Sequence, residues 1–269
     1  MKIVQTFWSG GKNILEESYG WFSPLHHIQG WVLSSNLLRK LYSEVELYTD
    51  EAGNDLLINK LKLPYTKVHV VLDKLNTYNS NLWALPKIYT YSLQEKPFIH
   101  IDGDVFIWQK FNKELLSSEF ITQNMESATE YYKKIWDELE SNLSYFPQEI
   151  IQDRKKDTDI KAFNAGIFGG NNIDFIKEYT KKAFDFVDKN LLSLEKINIT
   201  NFNIFFEQYL FYCMTKNKKI GCFFDEVFED NGYKGFGNFE DVPKVKTYLH
   251  LLGTYKRNAK ICSKMSRQL

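Results

Sequence analysis

The chain has 269 residues with 34 basic and 34 acidic side chains, so its formal net charge is zero. That balance excludes the broad positive field by which many nucleic-acid-binding proteins attract their partners, and a hydrophobic content of 43% excludes a disordered chain. The length suits one large α/β domain or two small ones.

The cysteines and the hydropathy pattern indicate a cellular location. Cys213, Cys222 and Cys262 are odd in number and lack the spacing of metal ligands, which favours reduced thiols in a cytoplasmic protein. No apolar run approaches the ~18 to 20 residues of a membrane-spanning helix, and the apolar stretch at the start is too short for a signal peptide. We therefore expect a cytoplasmic protein, at most peripheral to the inner face of the membrane.

The first part of the chain predicts strands alternating with helices. Lys2 to Phe7 predicts a first strand, and Ser9-Gly10-Gly11 a turn of the kind found near ligands. Helix-spaced apolar residues follow from Ile28 to Tyr42, a second strand leads to the polar tip at Asp50, and Val68 to Leu72 predicts a third strand. This order predicts an α/β fold with a mostly parallel sheet, in which ligands bind beyond the carboxyl ends of the strands.

The strongest chemical signal lies between Pro97 and Trp108. The apolar residues of this segment predict a buried strand that ends in two carboxylates, Asp102 and Asp104, with only Gly103 between them. Carboxylates are rarely buried unless they are paired or bind a metal, and oxygen ligands suit Mg²⁺ or Mn²⁺. With Asp50, Asp102 would lie at the ligand-binding edge of the sheet. The alternative is that the two acids merely flank a turn.

Two segments on either side of the strand that ends at Asp102 help to decide between a metal site and a simple turn. A short helix is predicted from Trp83 to Leu93, with Pro86 in its first turn and then Lys87, which serves the same site or is an ordinary solvated residue. The polar stretch from Pro147 to Lys161 predicts a loop. It contains a second Asp-x-Asp, Asp157-Thr158-Asp159, that follows no strand, so this pattern alone is a weak signal.

The second half of the chain predicts further strands over Ala162 to Gly170 and Ile220 to Phe224, and helices over Ile173 to Val187 and Phe202 to Met214. The last helix is apolar almost all round, so it should be buried, yet it contains Glu207-Gln208. A buried carboxylate needs a specific neighbour, which is either a substrate or a buried basic group. The sequence shows no repeat or linker, which favours a single domain.

The order of these motifs resembles one enzyme family. Lys87 precedes the strand, Ile-Asp-Gly-Asp ends it, and Asn-Ala-Gly at residues 164–166, Glu207-Gln208 and His-x-x-Gly-x-x-Lys at residues 250–256 follow. This order resembles the nucleotide-sugar glycosyltransferases of the GT-A fold, most closely the retaining glycogenin and galactosyltransferase-like group. The resemblance spans residues 2–256 as a match of motifs. It implies a Rossmann-like, mostly parallel sheet flanked by helices in a domain of residues 1–256, followed by a basic tail of residues 257–269.

The resemblance also implies a set of site residues. In this family paired aspartates and a late histidine hold Mn²⁺, or Mg²⁺ in its place, which points to Asp102, Asp104 and His250. Glu207 and Gln208 look like the family's acid-Gln pair near the reacting sugar carbon and are the expected catalytic residues. The residues expected at the nucleotide-sugar are Thr6, Asp50, Lys87, Asp102, Gly103, Asp104, Asn164, Ala165, Gly166, Gly253 and Lys256.

Bland alternatives exist for several of these residues. A histidine between leucines, such as His250, is more often a core residue than a ligand. The small residues of Asn164-Ala165-Gly166 would also permit close packing in a strand. Arg257-Asn258 follows Lys256 where the family usually has Pro-Trp, and the first loop, Thr6 to Asn13, lacks the usual base-binding pattern, so uridine is only the default base.

The tail beyond Lys256 places Lys260, Lys264 and Arg267 at helical spacing. We expect a disordered, solvated end. The alternative is a helix that docks on an anionic membrane surface, because basic residues cluster here in an otherwise neutral chain.

The sequence therefore predicts a metal-dependent glycosyltransferase that moves a sugar from a nucleotide-diphosphate sugar, UDP by default, to a glycan or lipid-linked acceptor, with retention implied by the closest group. A nucleotidyltransferase also uses paired acids, but no basic, glycine-rich triphosphate loop is evident near the N-terminus. A non-catalytic carbohydrate-binding module would use aromatic residues such as Trp8, Trp83, Trp108 and Phe236 as stacking platforms.

Overall fold

The computed structural model of the chain describes residues 1–127, 129–156, 159–229 and 232–269. The strands are β1 (Lys2–Phe7), β2 (Val45–Thr49), β3 (Lys67–Val70), β4 (Phe98–Ile101), β5 (Val105–Ile107), β6 (Ile121–Glu126), β7 (Ala162–Gly170), β8 (Gly221–Cys222), β9 (Val227–Phe228) and β10 (Tyr248–His250). The α-helices are α1 (Pro24–Leu41), α2 (Glu51–Gly53), α3 (Leu85–Ser92), α4 (Lys113–Ser117), α5 (Thr129–Asn142), α6 (Gln148–Arg154), α7 (Ile173–Asp188), α8 (Ile199–Ile204), α9 (Leu210–Thr215), α10 (Gly253–Lys256) and α11 (Ala259–Ser266).

The chain folds into two compact units. Unit 1 consists of Met1–Tyr78, Ile99–Asn112 and Tyr233–Leu269, and unit 2 consists of Asn79–Phe98 and Lys113–Gly232. Because the chain passes between the units after residues 78, 98, 112 and 232, neither unit is a contiguous piece of sequence. This interleaving agrees with the prediction of a single α/β domain rather than two domains in tandem.

Unit 1 contains the strands in the order β3-β2-β1-β4. β1 pairs with β2 in parallel, and β2 pairs with β3 in parallel. Every residue of β2 is buried, as expected of a strand that is covered on both faces, and its one acid, Glu46, is paired with Lys2 at 2.8 Å. The first two predicted strands are confirmed. The third ends at Val70, two residues before its predicted end, where a 3₁₀ turn over Leu72–Leu75 follows.

Helix α1 lies at the centre of the apolar packing in unit 1. Ser23 caps its first turn by accepting a hydrogen bond from the backbone N–H of His26, and Pro24 occupies the first helical position, where its missing N–H costs nothing. One side of the helix contributes Trp31 to a cluster with Phe7 and Leu47. Leu33 and Leu37 belong to a second cluster.

A separate antiparallel ribbon of β5 and β10 completes unit 1. His250 lies opposite Val105, and Leu249 lies opposite Phe106. Leu249 and Phe106 are fully buried in the cluster that contains Leu33 and Leu37 of α1. Because side chains alternate along a strand, this apolar face fixes the register of the ribbon and directs His250 to the opposite face.

The last residues of the chain form a helix, so the expectation of a disordered end is wrong. Asn258 caps α11 by accepting hydrogen bonds from the backbone N–H groups of Lys260 and Ile261. Cys262 and Met265, one helical turn apart, are 0% exposed and pack into the cluster around Leu249. The basic spacing of the tail marks only the solvent-facing side of this helix, and its apolar side is already covered by protein.

Unit 2 contains the strands in the order β7-β6-β8, with β9 also beside β6. β6 runs antiparallel to β7 and parallel to β8 and β9. All nine residues of β7 are buried. Aromatic side chains cover the strand: the ring of Tyr91 stacks on Phe168 at 4.4 Å, and Phe211 contacts Phe168 edge-on at 4.9 Å.

Two predictions for unit 2 need correction. The stretch from Pro147 to Lys161 is not simply a loop, because α6 occupies Gln148–Arg154 and buries Ile150 beneath an otherwise polar surface. Of the second Asp-x-Asp, Asp157 and Thr158 lie outside the described residues, and Asp159 is exposed. The strand predicted over Ile220 to Phe224 is reduced to the two residues of β8.

The predicted helix over Phe202 to Met214 is present in three pieces. α8 and α9 are joined by a π-type turn over Phe205–Tyr209, and this turn contains Glu207. The fold class is thus α/β, as the sequence predicts. Most strands pair in parallel, some pair antiparallel, and helices flank them. Among the helices of the described residues, none combines the length and the hydropathy needed to cross a bilayer.

Candidate metal centre

The turn between β4 and β5 carries the predicted carboxylates. β4 is buried at every position, and the backbone N–H of Val105 donates a 3.1 Å hydrogen bond to the carbonyl oxygen of Asp102 to close the turn. A Cβ atom at Gly103 would lie 2.5 Å from Cζ2 of Trp31, a distance that side chains do not tolerate. Glycine is therefore required at this position because the turn packs directly against the indole of α1.

The ribbon of β5 and β10 brings the predicted histidine to this turn. Antiparallel pairing sets His250 opposite Val105, and the backbone N–H of Leu251 donates a 2.9 Å hydrogen bond to the carbonyl oxygen of Asp104. The Nε2 atom of His250 lies 3.4 Å from Oδ1 of Asp104. Residues from distant parts of the chain therefore meet at one point of unit 1.

Asp102, Asp104 and His250 form a donor set for a metal ion. One ligand atom from each lies within 4.8 Å of the other two. An ion that sits about 2.0 to 2.3 Å from each ligand holds its ligand atoms at most about 4.6 Å apart, so small rotations of these side chains would complete the set. Two carboxylates and one imidazole suit Mn²⁺ and are compatible with Mg²⁺. The residues therefore fit the metal that the sequence predicts.

The electrostatics of Asp104 favour its charged form. Burial on its own would raise the pKa of this carboxyl, but the positive charge of Lys256 and the neighbouring His250 outweigh burial and hold its pKa well below the ordinary value. The Nζ atom of Lys256 lies 2.8 Å from Oδ2 of Asp104. Asp104 is thus an ionised carboxylate that contacts a lysine on one oxygen and faces a histidine with the other.

Two further groups lie close to the carboxylates of the centre. Burial, followed by the charges of Asp102 and Asp104, holds the pKa of the Tyr248 hydroxyl well above its ordinary value. Nδ1 of His100 lies 3.6 Å from Oδ1 of Asp102. A concentration of negative charge of this kind is where a cation binds most favourably.

His100 links the centre to the predicted first loop. Its Nε2 atom lies 3.0 Å from Oγ1 of Thr6, at the carboxyl end of β1. The imidazole of His100 thus lies between the hydroxyl of Thr6 and the carboxylate of Asp102. Sequence analysis missed His100, although a histidine inside the apolar Phe98–Ile101 strand, two residues before Asp102, was a visible signal.

Asp50 has a supporting position in this loop. Its Oδ1 atom accepts a 2.9 Å hydrogen bond from the N–H of Gly53, the last residue of the short helix α2, and its Oδ2 atom accepts one of 2.8 Å from the N–H of Ser9. The carboxylate therefore holds the turn of Gly10 and Gly11, whose φ angles are +62° and +73°. Both oxygens of Asp50 thus accept hydrogen bonds from the protein's own backbone, and its predicted contact with a nucleotide-sugar stays a prediction.

The charges of Lys256 and Asp104 both act on the imidazole of His27 in α1. Burial lowers the pKa of His27 to about 3, and the charge of Lys256 adds to this effect. Its Nε2 atom accepts a 3.0 Å hydrogen bond from the indole N–H of Trp31. His27 is therefore neutral at physiological pH and adds no charge to this side of the centre.

The α10 segment positions the lysine of the late motif. Gly253 begins the helix, and a Cβ atom there would lie 3.3 Å from the guanidinium of Arg257. The backbone carbonyl of Lys256 accepts a 2.8 Å hydrogen bond from the N–H of Phe22. Gly253 and Lys256 thus occupy a short segment tied to the loop before α1.

Unit 2 contains a second pair of predicted residues in direct contact. Nζ of Lys87, in the first turn of α3, lies 2.6 Å from Oε1 of Glu207, and the two side chains are 9% and 0% exposed. The lysine also lies over the ring of Trp83, 5.5 Å from its centroid. Gln208, which follows Glu207 in the sequence, is partly buried. The buried carboxylate therefore has the basic neighbour that its burial required.

The Asn-Ala-Gly motif lies within β7. Asn164 donates a 2.9 Å hydrogen bond from Nδ2 to Oε1 of Glu126, and its Oδ1 atom accepts one of 2.9 Å from the N–H of Gly166. Tyr132 donates to the other oxygen of Glu126. Ala165 is buried. The side chain of Asn164 is thus held by a buried acid that the sequence analysis did not single out.

The fold and this centre define the chain as an α/β protein with a carboxylate and imidazole cluster suited to a divalent cation. It belongs to DUF6734, a family of unknown function, whose family model matches residues 1–269. A search of curated proteins found no match to the chain.

Proposed function

We propose that the chain is a metal-dependent glycosyltransferase of the GT-A type, which transfers a sugar from a nucleotide-diphosphate sugar to a glycan or lipid-linked acceptor in the cytoplasm. One observation carries the proposal: Asp102, Asp104 and His250 converge within 4.8 Å in unit 1. The three residues that the resemblance assigns to the metal lie together in the fold, which a chance match of motifs would not require. The contact of Lys256 with Asp104 supports the same conclusion.

In this proposal Asp102, Asp104 and His250 hold Mn²⁺ or Mg²⁺. When bound, the ion would offset the negative charge that grows on the departing diphosphate. The ammonium of Lys256 contributes a further positive charge on the leaving-group side, and Gly253 is assigned to the same diphosphate by resemblance. Thr6 belongs to the loop assigned to the nucleoside.

The transfer breaks the bond between the anomeric carbon and a diphosphate oxygen, and the electron pair leaves with the diphosphate. The anomeric carbon gains positive character before the acceptor hydroxyl oxygen bonds to it and passes its proton to the departing diphosphate. We assign Glu207 and Gln208 to the sugar side of this reaction by resemblance, with Lys87 fixing the Glu207 carboxylate through their 2.6 Å ion pair. Asn164, Ala165 and Gly166 are assigned to the sugar-binding strand on the same basis, and retention is the stereochemistry that the closest family group implies.

A donor-hydrolysis panel tests the proposal. Purified protein is incubated with a set of nucleotide-diphosphate sugars and Mn²⁺, with and without chelator, and the released nucleoside diphosphate is measured. We expect turnover of at least one donor that chelator abolishes, and loss of that turnover in Asp104→Asn. Asp159→Asn, at the exposed last acid of the second Asp-x-Asp, is the matched control and should keep full activity. Turnover that is undiminished in chelator would refute the proposal.

A further inference from the structure

The carboxylate of Asp104 is shared between two roles. Its Oδ2 atom contacts Nζ of Lys256 at 2.8 Å, and its Oδ1 atom faces Nε2 of His250 at 3.4 Å. The proposed function assigns the same carboxylate to a divalent cation and the same lysine to the donor diphosphate. An ammonium and a divalent ion on one carboxylate repel each other strongly at such distances. The Lys256 ammonium and a divalent ion would therefore compete for the carboxylate of Asp104.

The backbone of Lys256 is anchored, whereas its side chain is not enclosed. The carbonyl oxygen of Lys256 accepts hydrogen bonds from the N–H of Phe22 at 2.8 Å and from Sγ of Cys262 at 3.1 Å. Its own N–H donates to the carbonyl oxygen of Leu252 at 3.2 Å. The side chain, in contrast, is 23% exposed. Any change of partner by the ammonium must therefore come from rotation of the four-carbon stem.

Gly20 lies beside the side chain of Lys256. A Cβ atom at Gly20 would lie 3.7 Å from Cε of Lys256, at ordinary contact distance. The φ angle of Gly20 is +78°, which other residues rarely adopt, so glycine is required here by the turn.

We propose that Lys256 is the resident counter-ion of Asp104 in the metal-free protein, and that it leaves Asp104 for the anionic diphosphate when the carboxylate takes up a divalent cation. This inference rests on the proposed function of the same site. It makes the metal and the nucleoside diphosphate bind cooperatively, because the lysine opposes the metal when it is alone and assists the diphosphate once the metal is present. By linkage, each ligand must strengthen the binding of the other by the same factor.

The test compares Lys256→Met, which keeps the length of the side chain and removes its charge, with Lys260→Met at an exposed position of α11. Mn²⁺ binding is measured without nucleotide by electron paramagnetic resonance of the free ion, and binding of a nucleoside diphosphate is measured at saturating Mn²⁺ by calorimetry. For Lys256→Met we expect Mn²⁺ alone to bind about tenfold tighter and the diphosphate about tenfold weaker, while Lys260→Met resembles the wild type. Mn²⁺ affinity that is unchanged or lower in Lys256→Met would overturn the inference.

Asp104→Asn separates the two possible failures. If wild-type protein and Lys256→Met bind Mn²⁺ no better than Asp104→Asn, both the proposed function and this inference fall. If Asp104 is required for Mn²⁺ binding but Lys256→Met does not tighten it, only the inference falls.

A second measurement needs only the wild-type chain. Competitive acetylation read by mass spectrometry reports how accessible the Lys256 ammonium is. We expect acetylation of Lys256 to rise several-fold with Mn²⁺ and to fall again when a nucleoside diphosphate is added, with Lys260 constant throughout. A Lys256 acetylation rate that does not respond to Mn²⁺ would overturn the exchange even if the substituted protein fails to fold.

Discussion

The buried ion pair of Lys87 and Glu207 gives a quantitative prediction. At 2.6 Å and an effective dielectric constant of ~20, two unit charges attract by about 6 kcal/mol, and the desolvation of both groups cancels much of this gain. Removal of one partner leaves the cost of burying the other charge without that compensation. Lys87→Met should therefore lower the free energy of unfolding by about 3 to 5 kcal/mol, because Glu207 is fully buried.

The companion substitution distinguishes an ion pair from simple packing. Glu207→Gln in the Lys87→Met background replaces the buried charge with a neutral amide, so we expect the double variant to regain most of the stability that Lys87→Met loses. Equilibrium unfolding in urea, followed by far-UV circular dichroism, measures the wild type, the two single variants and the double variant. Lys134→Met, at an exposed lysine of α5, is the control and should change stability by less than about 0.5 kcal/mol.

Two results would refute this reasoning. A loss below about 1 kcal/mol in Lys87→Met would mean that the carboxylate of Glu207 does not depend on its lysine. Additive losses in the double variant would mean that the two side chains act independently. The double variant also bears on function, since a chain with restored stability and no donor hydrolysis would show that Lys87, Glu207 or both are needed in the reaction as well as in the fold.

Three further predictions concern unit 1. Gly103→Ala should destabilise the protein by about 1 to 3 kcal/mol in thermal unfolding, because the new Cβ would press against Trp31, and a smaller effect would contradict the close packing of this turn. Without metal, the pKa of Asp104 is lowered, so its ion pair stabilises the protein above the ordinary carboxyl pKa range and this contribution is lost as the pH falls below about 4. Asp104→Asn should therefore make the free energy of unfolding less dependent on pH below about 4. An unchanged pH dependence would contradict this prediction. Met265→Ala should cost about 2 to 5 kcal/mol in urea unfolding because it leaves a cavity beneath α11, whereas the exposed Arg267→Ala should cost almost nothing; equal effects would show that the helix is not packed.

The sequence was a good guide where its signal was local. The apolar run before Asp102 marked a buried strand, and the stretch up to Asp50 marked another, because hydrophobic spacing follows directly from the geometry of a strand. The arrival of His250 at Asp104 had no local signal, since it depends on strand pairing between distant segments. Only the resemblance to a known family suggested it.

The errors have physical causes as well. The tail was expected to be disordered because its charged residues are conspicuous, whereas its stability comes from Cys262 and Met265, which are few but fully buried. α6 was missed for the same reason, since it presents a polar surface and buries mainly Ile150 and Asp153. Asp50 shows the converse problem: a residue at the expected edge of the sheet serves as a helix cap and loop anchor, a role that position alone does not reveal.

The pairing of β5 with β10 has a consequence for the biosynthesis of the protein. A ribosome releases the chain from its N-terminus, so Asp102 and Asp104 emerge long before Tyr248–His250 is available to pair with Val105–Ile107. Until then the turn has two acids but neither the imidazole nor Lys256. The complete centre therefore assembles only after β10 has emerged from the ribosome, and a nascent chain that ends before β10 has an incomplete ligand set with which to capture metal from its surroundings.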